Sequence, residues 1–302
     1  MGKMFSCDIA ASIVAYKNDA AIINKAISSF LNTSLSVSIL IVDNSPTDVL
    51  KSKLLKDERI HYIFNNANVG FSKAHNQGIK YYRNKAKYFL VLNPDVYFDE
   101  LTLSLLFNYL EAHNNVGLIA PKVLYPNGDT QVSRRLIPNP VDLVARRLPG
   151  GKLIFKKRAS INEYHEVDNR FILEVPFLLG CFMLLRMSAI EKVGLFDERY
   201  FVYLEDLDLC RRMSKQFKIV YHGQATIYHH YQRASSRNPK MFLLHTVSMI
   251  KYFTKWGWFN DIERKEINKN AITKYTVEAE EKHLLLKEEP VSTYSMPAPV
   301  ST

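Results

Sequence analysis

Short runs of β-branched and aliphatic residues alternate with helical patterns in the amino-terminal third of the chain. This alternation constrains the fold more than any other feature. The strand-like runs are IAASIVAY, VSILIVDN and KYFLVLN, and the helical patterns between them are AAIINKAISSFL and GFSKAHNQGIKYYRN. Strands separated by helices of this length pair in parallel, with helices covering both faces of the sheet. The sequence therefore predicts an α/β fold whose mostly parallel, Rossmann-like sheet is flanked by helices.

Polar residues follow each of these predicted strands, at the edge where open α/β sheets bind their ligands. They are Tyr16, Asn18, Asp43, Asn44, Asn93 and Asp95. Any single one could be a turn former, because Asn and Asp adopt turn conformations at little cost. Three such pairs in parallel register indicate a shared site. Neither GxGxxG nor GxxxxGK[ST] occurs in the chain, so a bound nucleotide would need another arrangement for its phosphates.

Asp95 has the setting of a residue that holds a hard divalent cation. It follows the buried run KYFLVLN directly after Pro94, which blocks continuation of the strand. Carboxylate oxygens are the ligands that Mg²⁺ and related ions prefer. A cation there could neutralise a diphosphate, which is the task of the phosphate loop that the chain lacks.

The stretch YFVYLEDLDLCRRM places three carboxylates, Glu205, Asp206 and Asp208, ahead of Arg211 and Arg212. A solvated helix start would give the same order, because acids favour a first helical turn and bases a later one. Glu205 and Asp206 open the predicted helix, where one carboxylate can act as a general base. Asp208 and Arg211 are spaced to form a pair on the helix surface.

Composition and charge narrow the class of protein. With 302 residues and 47% hydrophobic residues, the chain can bury the core of one large domain. No apolar run approaches the roughly 18 to 20 residues of a membrane span and no signal peptide is recognised, which predicts a cytoplasmic protein. The three cysteines form no CxxC pair. The net charge of +10 suits a polyanion, an anionic membrane surface or a phosphorylated substrate.

Three segments are predicted along the chain. Residues 1–236 form the main domain, in which the strand–helix alternation covers about 1–100 and fades over about 101–236. Residues 237–281 form a basic, helical C-terminal extension, and residues 282–302 have the composition of a disordered tail. The extension contains MFLLHTVSMIKYFTKWGWF, which is consistent with either a core helix or a segment at a membrane interface.

Several motifs, taken in order, give the chain a specific resemblance. They are IVAY, VDNS, NVGFSKAHNQGI, LNPDV, PKVLYPNGDTQVS, FLLGCFMLLR, VGLFDERYFVYLEDLDLCRR and IYHHYQRAS. Over roughly residues 8–255 the chain resembles family 2 glycosyltransferases with the GT-A fold. It is most similar to the bacterial rhamnosyltransferase branch, whose members build O-antigen and other cell-surface polysaccharides. The resemblance implies inverting transfer of a sugar from a nucleotide diphosphate to an acceptor hydroxyl. It makes residues 1–236 the GT-A catalytic domain, with a nucleotide-binding half at about 1–100 and an acceptor and catalytic half at about 101–236.

The resemblance also assigns the donor site. It implies that Asp43, with Asn44 beside it, recognises the nucleobase, and that Ala15 and Tyr16 lie in the loop lining the base. Three residues match the segment beside the ribose and diphosphate, namely Asn68, Gly70 and Asn76. Gly180 is expected to let the backbone approach the sugar closely, or else simply to pack within a strand.

The same resemblance assigns the catalytic groups. Asp206 matches the catalytic base, with Glu205 the less favoured choice. Asp95 matches the last acid of the DxD metal motif, whose first position here is Asn93. His229 or His230 matches a histidine that contacts the metal or diphosphate, and His229 is preferred because it directly follows the apolar strand TIY. The expected cofactor is a divalent cation, Mg²⁺ or Mn²⁺.

The predicted reaction moves L-rhamnose from dTDP-L-rhamnose to a lipid-linked or oligosaccharide acceptor. Such an acceptor implies peripheral contact with the anionic cytoplasmic face of the inner membrane. The first alternative is a transferase of the same fold that uses another UDP- or GDP-sugar. A nucleotidyltransferase would normally need a Gly-rich, Lys-bearing loop, which the chain lacks. A nucleic-acid-binding module would not need the carboxylate cluster, so no nucleic acid is expected as a partner.

Overall fold

The structure is a computed structural model that describes residues 5–145, 156–165, 167–230 and 238–274. The predicted disordered tail at 282–302 lies outside this part of the chain. So does most of the basic segment at residues 146–158, whose bases are Arg146, Arg147, Lys152, Lys156, Lys157 and Arg158. The strand and helix bounds below refer to the described residues.

Twelve strands follow one another along the chain. They are β1 (Cys7–Ala15), β2 (Val37–Asp43), β3 (Ile60–Phe64), β4 (Ala86–Leu92), β5 (Val96–Phe98), β6 (Val116–Leu124), β7 (Thr130–Gln131), β8 (Arg134–Arg135), β9 (Ile172–Glu174), β10 (Phe177–Leu178), β11 (Phe182–Arg186) and β12 (Lys218–His229). Ten of them form one sheet along the path β3-β2-β1-β4-β11-β6-β12-β5, with β7 beside β6 and β9 beside β12. The short strands β8 and β10 pair separately.

The amino-terminal half of the sheet is parallel, as the alternating sequence pattern predicts. β2 pairs in parallel with β3 and with β1, and β1 pairs in parallel with β4. β11 then runs antiparallel between β4 and β6, and β12 is parallel to β6. The mostly parallel α/β prediction is therefore confirmed.

Helices cover both faces of this sheet. They are α1 (Ala20–Leu31), α2 (Phe71–Tyr81), α3 (Glu100–Ala112), α4 (Pro140–Ala145), α5 (Lys156–Asn162), α6 (Met187–Val193), α7 (Glu205–Met213), α8 (Pro239–Trp256) and α9 (262–274). α1 and α3 bury their apolar residues on one face, and α2, α6, α7 and α8 bury theirs on the other. The predicted helical C-terminal extension is thus present in the described part of the chain.

The start of α8 follows from its local sequence. The side chain of Asn238 accepts a hydrogen bond from the backbone N–H of Lys240 at 2.9 Å, and Pro239 occupies the first helical turn. Both features are typical of helix starts, because they satisfy or remove backbone donors that have no partner inside the helix. Tyr252 and Phe253 are fully buried, so the carboxyl-terminal half of α8 packs into the core.

The predicted pair between Asp208 and Arg211 is wrong. Asp208 instead binds Arg212, one position further along α7, with Nε to Oδ2 at 2.9 Å. Arg211 points to the segment after α8 and binds Asp261 through both Nη atoms, each at 2.5 Å. The reason is burial, because a charged group with almost no solvent contact pairs with the carboxylate on the side of the helix that it faces.

None of the helices in the described ranges combines the length and the apolar character that a membrane span requires.

Candidate active site

The ends of β1 and β2 meet at one edge of the sheet and form the first part of the site. Ala15 is in register with Asp43, and the backbone N–H of Asn44 donates to the Ala15 carbonyl at 2.8 Å. The loop after β1 is tied to the loop after β2, because the Lys17 N–H donates to Ser45 Oγ at 2.9 Å. Parallel pairing thus brings the two predicted polar strand ends together.

Asp43 is completely buried and held in one orientation. Its Oδ1 accepts a hydrogen bond from the Ser45 N–H at 2.8 Å, and its Oδ2 accepts from the Tyr62 hydroxyl at 2.7 Å. Burial and the Asp43 carboxylate raise the pKa of Tyr62, so this hydroxyl keeps its proton. The ring of Tyr16, one residue beyond Ala15, is 45% exposed. An oriented carboxylate near an exposed ring can accept a nucleobase N–H while the ring stacks on the base.

Asn68 and Gly70 shape the start of α2 next to this pocket. The Gly70 N–H donates to Asn68 Oδ1 at 3.1 Å, and Asn44 Nδ2 donates to the Gly70 carbonyl at 3.4 Å. Gly70 has φ of +86°, and a Cβ there would lie 2.5 Å from the carbonyl oxygen of Phe201. Only glycine fits such a position, so Gly70 lets the loop before α7 approach the start of α2.

Asn76 is buried and binds the loop before α7. Its Oδ1 accepts from the Phe196 N–H at 3.0 Å, and its Nδ2 donates to the Phe196 carbonyl at 2.9 Å and to Glu198 at 3.0 Å. These bonds fix α2 to the loop that leads into α7. In the structure, Asn76 therefore connects the donor half of the site to the helix that carries Asp206.

The residues after β4 meet the end of β12. Asp95 Oδ1 lies 3.3 Å from His229 Nε2, and Asn93 Nδ2 lies 3.5 Å from the same nitrogen. His229 Nδ1 contacts Gln131 Oε1 at 3.0 Å. His230 is exposed, and its backbone N–H donates to the backbone carbonyl of Asp95 at 3.1 Å. The structure thus brings together Asn93, Asp95 and His229.

This group of residues fits a divalent cation. Two ligand atoms held at about 2.1 Å in an octahedral arrangement lie roughly 3 Å apart, close to the separation of Asp95 and His229. Gln131 would hold the other ring nitrogen, as an outer partner of a metal-bound histidine does. Within the described ranges, no three His, Cys, Asp or Glu side chains converge on one point. Mg²⁺ often takes one or two protein ligands and completes its shell with water and substrate phosphates.

The charge state of His229 depends on its burial and on its neighbours Cys181 and Asp95. Burial lowers the pKa of His229, but Cys181 and Asp95 raise it by more, so it lies at about 10. The protonated ring can then donate to Asp95. A cation bound between the two side chains would displace this proton, because a metal-bound histidine is neutral.

Asp206 lies at the start of α7 and is oriented by two backbone donors. Its Oδ2 accepts from the Gly180 N–H at 2.9 Å, and its Oδ1 accepts from the Leu207 N–H at 2.8 Å. Tyr203 and Leu204 precede this turn with φ of 71° and 65°. Two successive non-glycine residues in the left-handed region are costly, and such strain is concentrated at functional sites.

The two neighbouring carboxyls differ in their environments. Burial raises the pKa of Asp206, whereas the N–H groups of Gly180 and Leu207 and the charge of Arg135 oppose that rise. Burial and Asp206 raise the pKa of Glu205 well above its ordinary value, and Glu205 Oε2 has no hydrogen-bond partner among the described residues. Environments that separate two such pKa values are typical of catalytic acid–base pairs. Asp206 is the carboxyl equipped to ionise, and Glu205 the one equipped to stay protonated.

The raised pKa of Glu205 has a defined effect on stability. The unfolded chain releases this proton at the ordinary pKa, so between that value and the raised value the folded protein binds more protons. Stability then falls as the pH rises through this window and is constant above it. Glu205 therefore lowers the free energy of unfolding at neutral and alkaline pH relative to a neutral side chain of the same shape.

Gly180 lies against the catalytic candidate and not in a plain strand. A Cβ at Gly180 would be 3.2 Å from the Cβ of Asp206 and 3.3 Å from its Oδ2. Gly180 thus approaches Asp206 closely, and its predicted approach to the sugar stays a prediction. The approach to Asp206 is what allows the Gly180 N–H to reach the carboxylate.

Several contacting residues are not singled out by the sequence. Tyr62 and Gln131 orient Asp43 and His229, and the Cys181 carbonyl accepts the Asn93 N–H at 2.9 Å. Arg135 lies close enough to Asp206 for its charge to act on that carboxyl. Gln131 and Arg135 do fall in or just beyond the motif PKVLYPNGDTQVS, which is the one sequence signal that could have found them.

Comparisons with known proteins agree with this geometry. The family model "Glycosyl transferase family 2" matches residues 12–194, which is more than half of the chain. An N-acetylglucosaminyl-diphospho-decaprenol L-rhamnosyltransferase of Mycobacterium tuberculosis is 28% identical over 226 residues, 70% of this chain and 73% of that protein. Rhamnosyltransferase WbbL of Escherichia coli K12 is 26% identical over 227 residues, 72% of this chain and 82% of that protein.

Two solved structures share the fold. GalNAc-T7, crystallised with UDP, GalNAc and Mn²⁺, superposes with a TM-score of 0.60 at 12% identity, over 83% of this chain and 50% of that one. TarS of S. aureus superposes with a TM-score of 0.55 at 14% identity, over 86% of this chain and 42% of that one. The GT-A fold and the glycosyltransferase class predicted from the motifs are confirmed, and the chain belongs to glycosyl transferase family 2.

Proposed function

We propose that this glycosyltransferase transfers L-rhamnose from dTDP-L-rhamnose to a hydroxyl of a lipid-linked glycan, with inversion at the anomeric carbon. The observation that carries the proposal is the carboxylate of Asp206, which two backbone N–H groups orient at a strained helix start. The M. tuberculosis and E. coli relatives, both rhamnosyltransferases, support the choice of sugar. The product would be part of a cell-surface polysaccharide such as O-antigen.

Asp206 acts as the general base in this reaction. It takes the proton of the acceptor hydroxyl while that oxygen bonds to the anomeric carbon and the bond to the donor diphosphate breaks. A single displacement from the opposite face inverts the anomeric carbon. Glu205 stays protonated beside Asp206, so the pair carries a single negative charge and that charge lies on Asp206. The backbone of Gly180 keeps the carboxylate aimed, so orientation contributes to the rate together with basicity.

The nucleoside of the donor binds at the ends of β1 and β2. Asp43, fixed by Tyr62 and Ser45, accepts the N–H of the base, and Tyr16 stacks on it. Asn44, Asn68 and Gly70 line the adjoining backbone turn. A thymine or uracil presents the required N–H, which agrees with a dTDP or UDP donor.

Asp95 and His229 would hold Mg²⁺ or Mn²⁺, with Asn93 and Gln131 beside them. The cation, when bound, would stabilise the negative charge of the departing diphosphate.

We expect Asp95→Ala to make dTDP affinity independent of added Mg²⁺ or Mn²⁺, with Asp99→Ala as the matched control. Asp99 is an exposed carboxylate four residues away whose side chain caps nothing. If Asp95→Ala and the wild type give the same metal titration, the cation binds elsewhere and Asp95 does not hold it.

A peripheral contact with an anionic membrane fits the exposed face of α8. Leu243, Val247 and Ile250 form an apolar stripe and are 61%, 38% and 48% exposed. Two of the bases near it are used inside the protein, since Lys251 binds the Arg199 carbonyl and Lys255 binds Asp208. Attraction to lipid would therefore depend on the basic segment that begins at residue 146. The chain before this segment is tied to α9 by two hydrogen bonds between Ile137 and Asn268.

The membrane contact is tested by liposome sedimentation. The charge-reversal variant carries Glu at Lys152, Lys156 and Lys157 but keeps Arg158, because Arg158 binds Asp142 at 2.5 Å. The control reverses Lys51 and Lys53, which lie in a short exposed helical turn elsewhere. We expect salt-sensitive binding to anionic liposomes that only the first variant loses, at about 1 kcal/mol per base near the surface. Equal sedimentation of all three proteins would contradict the membrane contact and would mean that the basic segments serve only to bind the diphosphate.

Donor selectivity is the direct test of the proposed activity. Thermal unfolding is measured with dTDP, UDP, GDP and their sugars, with and without Mg²⁺ or Mn²⁺, followed by transfer to N-acetylglucosaminyl-diphospho-farnesol. We expect the largest stabilisation and transfer with dTDP-rhamnose. Stabilisation by UDP- or GDP-sugars alone would select the alternative donor. A nucleotide product joined to the acceptor would indicate nucleotidyl transfer, and a salt-sensitive gel shift without transfer would indicate nucleic-acid binding.

A further inference from the structure

The segment 130–135 links the two catalytic parts of the site. At one end Gln131 contacts His229, and at the other β8 pairs with β10, which leads into Gly180, whose N–H donates to Asp206. In between, the Ser133 carbonyl accepts the Leu179 N–H at 2.9 Å, next to Gly180. β8 pairs with β10, so that Arg135 lies opposite Phe177. Two adjacent arginines, Arg134 and Arg135, therefore reach the site on a segment fixed at both ends.

Arg134 has a structural role that the contacts explain. It is 3% exposed, its Nη2 donates to the Val167 carbonyl at 2.8 Å, and its guanidinium lies 4.4 Å from the centre of the Tyr221 ring. These contacts hold the segment around residue 167 against β12. Arg134 thus holds these two segments together and is almost fully buried, although its Nε and Nη1 have no hydrogen-bond partner within the described part of the chain.

Arg135 is held much less completely. Its side chain is 23% exposed, and its nearest acidic partner, Glu163, lies 3.7 Å from Nη2, beyond hydrogen-bond distance. Glu163 also contacts His165 at 3.0 Å. The buried Nε of Arg135 has no hydrogen-bond partner within the described part of the chain. Beside the proposed base there is therefore a guanidinium with spare donors and partial access to solvent.

We propose that Arg135 binds a phosphate of the acceptor, so that the enzyme selects sugars carried on a lipid diphosphate. This inference rests on the proposed function, because it takes Asp206 as the point where the acceptor hydroxyl waits. In a sugar linked through its anomeric carbon to a diphosphate, the first phosphate is one sugar ring away from the reacting hydroxyl. A guanidinium on the segment that packs beside Gly180, whose N–H binds Asp206, is thus placed to meet it.

The charges elsewhere in the site support separate binding groups for the donor diphosphate and the acceptor phosphate. The donor diphosphate has its own group, Asp95 and His229, at the other end of segment 130–135. Arginine binds phosphate through a planar fork of N–H donors, which suits a phosphate of fixed position. The M. tuberculosis relative acts, by its name, on an N-acetylglucosaminyl-diphospho-decaprenol, an acceptor of this chemical class. Arg135 is therefore a specificity residue for the acceptor and not a catalytic one.

The test compares two acceptors that differ in the phosphates. One is N-acetylglucosaminyl-diphospho-farnesol and the other is a neutral alkyl glycoside of N-acetylglucosamine. Affinity is measured with dTDP bound, and kcat/KM is measured with dTDP-rhamnose at a pH on the plateau of each protein's profile. The variants are Arg135→Gln, Arg135→Lys and the control Arg170→Gln. Arg170 is a 77% exposed arginine paired with Asp168.

We expect the wild type to prefer the diphosphate acceptor at least tenfold. Arg135→Gln should lose about tenfold or more of that preference, Arg135→Lys should recover part of it, and the control should keep it, since a charged hydrogen bond contributes about 1.5–3 kcal/mol. An equal loss with both acceptors would mean that Arg135 acts only on Asp206 or on folding, and would overturn the proposal. So would a wild type that binds both acceptors equally, whatever the variants do. Diphosphate-selective binding without rhamnosyl transfer would instead reject the proposed function and keep this inference.

Discussion

Replacing Asp261 with Asn tests whether the C-terminal extension stabilises the catalytic helix α7. Arg211 in α7 and Asp261 after α8 are 1% and 2% exposed, and two hydrogen bonds of 2.5 Å join them. The Arg211 guanidinium also lies 4.3 Å from the centre of the Trp256 ring. Asn keeps the size of Asp261 but leaves a buried guanidinium without its main counter-charge.

The expected cost can be worked out from this burial. Removing one partner of a buried pair costs about 3–5 kcal/mol, because the other charge stays buried and unpaired. Glu263 lies 3.0 Å from Arg211 Nη2 and is 38% exposed, so it compensates in part and favours the lower end. At about 2–4 °C per kcal/mol for a domain of comparable size, Asp261→Asn should lower the Tm by roughly 6–12 °C.

The assay is thermal or urea unfolding of the wild type, Asp261→Asn and a matched surface control. Asp57→Asn serves as that control, because Asp57 pairs with Arg59 at 2.8 Å while both side chains are at least 28% exposed. Such pairs contribute about 0–1 kcal/mol. If Asp261→Asn destabilises the protein no more than the control, the extension does not hold α7 through a buried pair.

Three further substitutions test the site. Glu205→Gln should have the same Tm as the wild type in acid and a higher Tm above the ordinary carboxyl pKa, with a difference that grows as the pH rises. A Tm difference that is the same at every pH would contradict the raised pKa of Glu205. Gly180→Ala should lower kcat by about tenfold or more at unchanged donor affinity, because its Cβ would displace Asp206; unchanged kcat would mean that the carboxylate can shift freely. Tyr62→Phe should weaken dTDP binding by roughly tenfold through the lost 2.7 Å bond to Asp43, and calorimetry showing wild-type affinity would refute this role.

The amino-terminal half of the fold is readable from sequence because its pairing is local. β1, β2 and β4 are apolar runs separated by helical patterns, so parallel order and a shared ligand edge follow from the alternation. The half-buried strand β3, between β2 and β4 in the chain, was not predicted. The run that forms β11 also reads as a strand, but its place between β4 and β6 depends on pairing with residues 65 to 98 positions away. Periodicity carries no information about such partners.

The site shows the same division. Asp43, Asp95 and Asp206 stand out because strand ends and helix starts leave their polar residues in defined places. Gln131 and Arg135 do not, because polar residues near the PNG turn are equally typical of a solvated hairpin, and only distant parts of the chain, β12 for Gln131 and β10 for Arg135, bring them to the site. Asp208 was assigned the wrong arginine for a related reason: helical spacing offers two partners, and the segment after α8 takes one of them.

The central claim is that Asp206 removes the proton of the acceptor hydroxyl, and the measurement that tests it most directly is transfer by Asp206→Asn with dTDP affinity measured in parallel. Asn keeps the shape of the side chain and an oxygen for the Gly180 N–H but cannot accept the proton. We expect activity to fall by about 10²- to 10⁴-fold, the usual contribution of a general base, while dTDP affinity stays within a few-fold of wild type. A variant that keeps more than about a tenth of the activity would contradict the assignment and shift the role to Glu205.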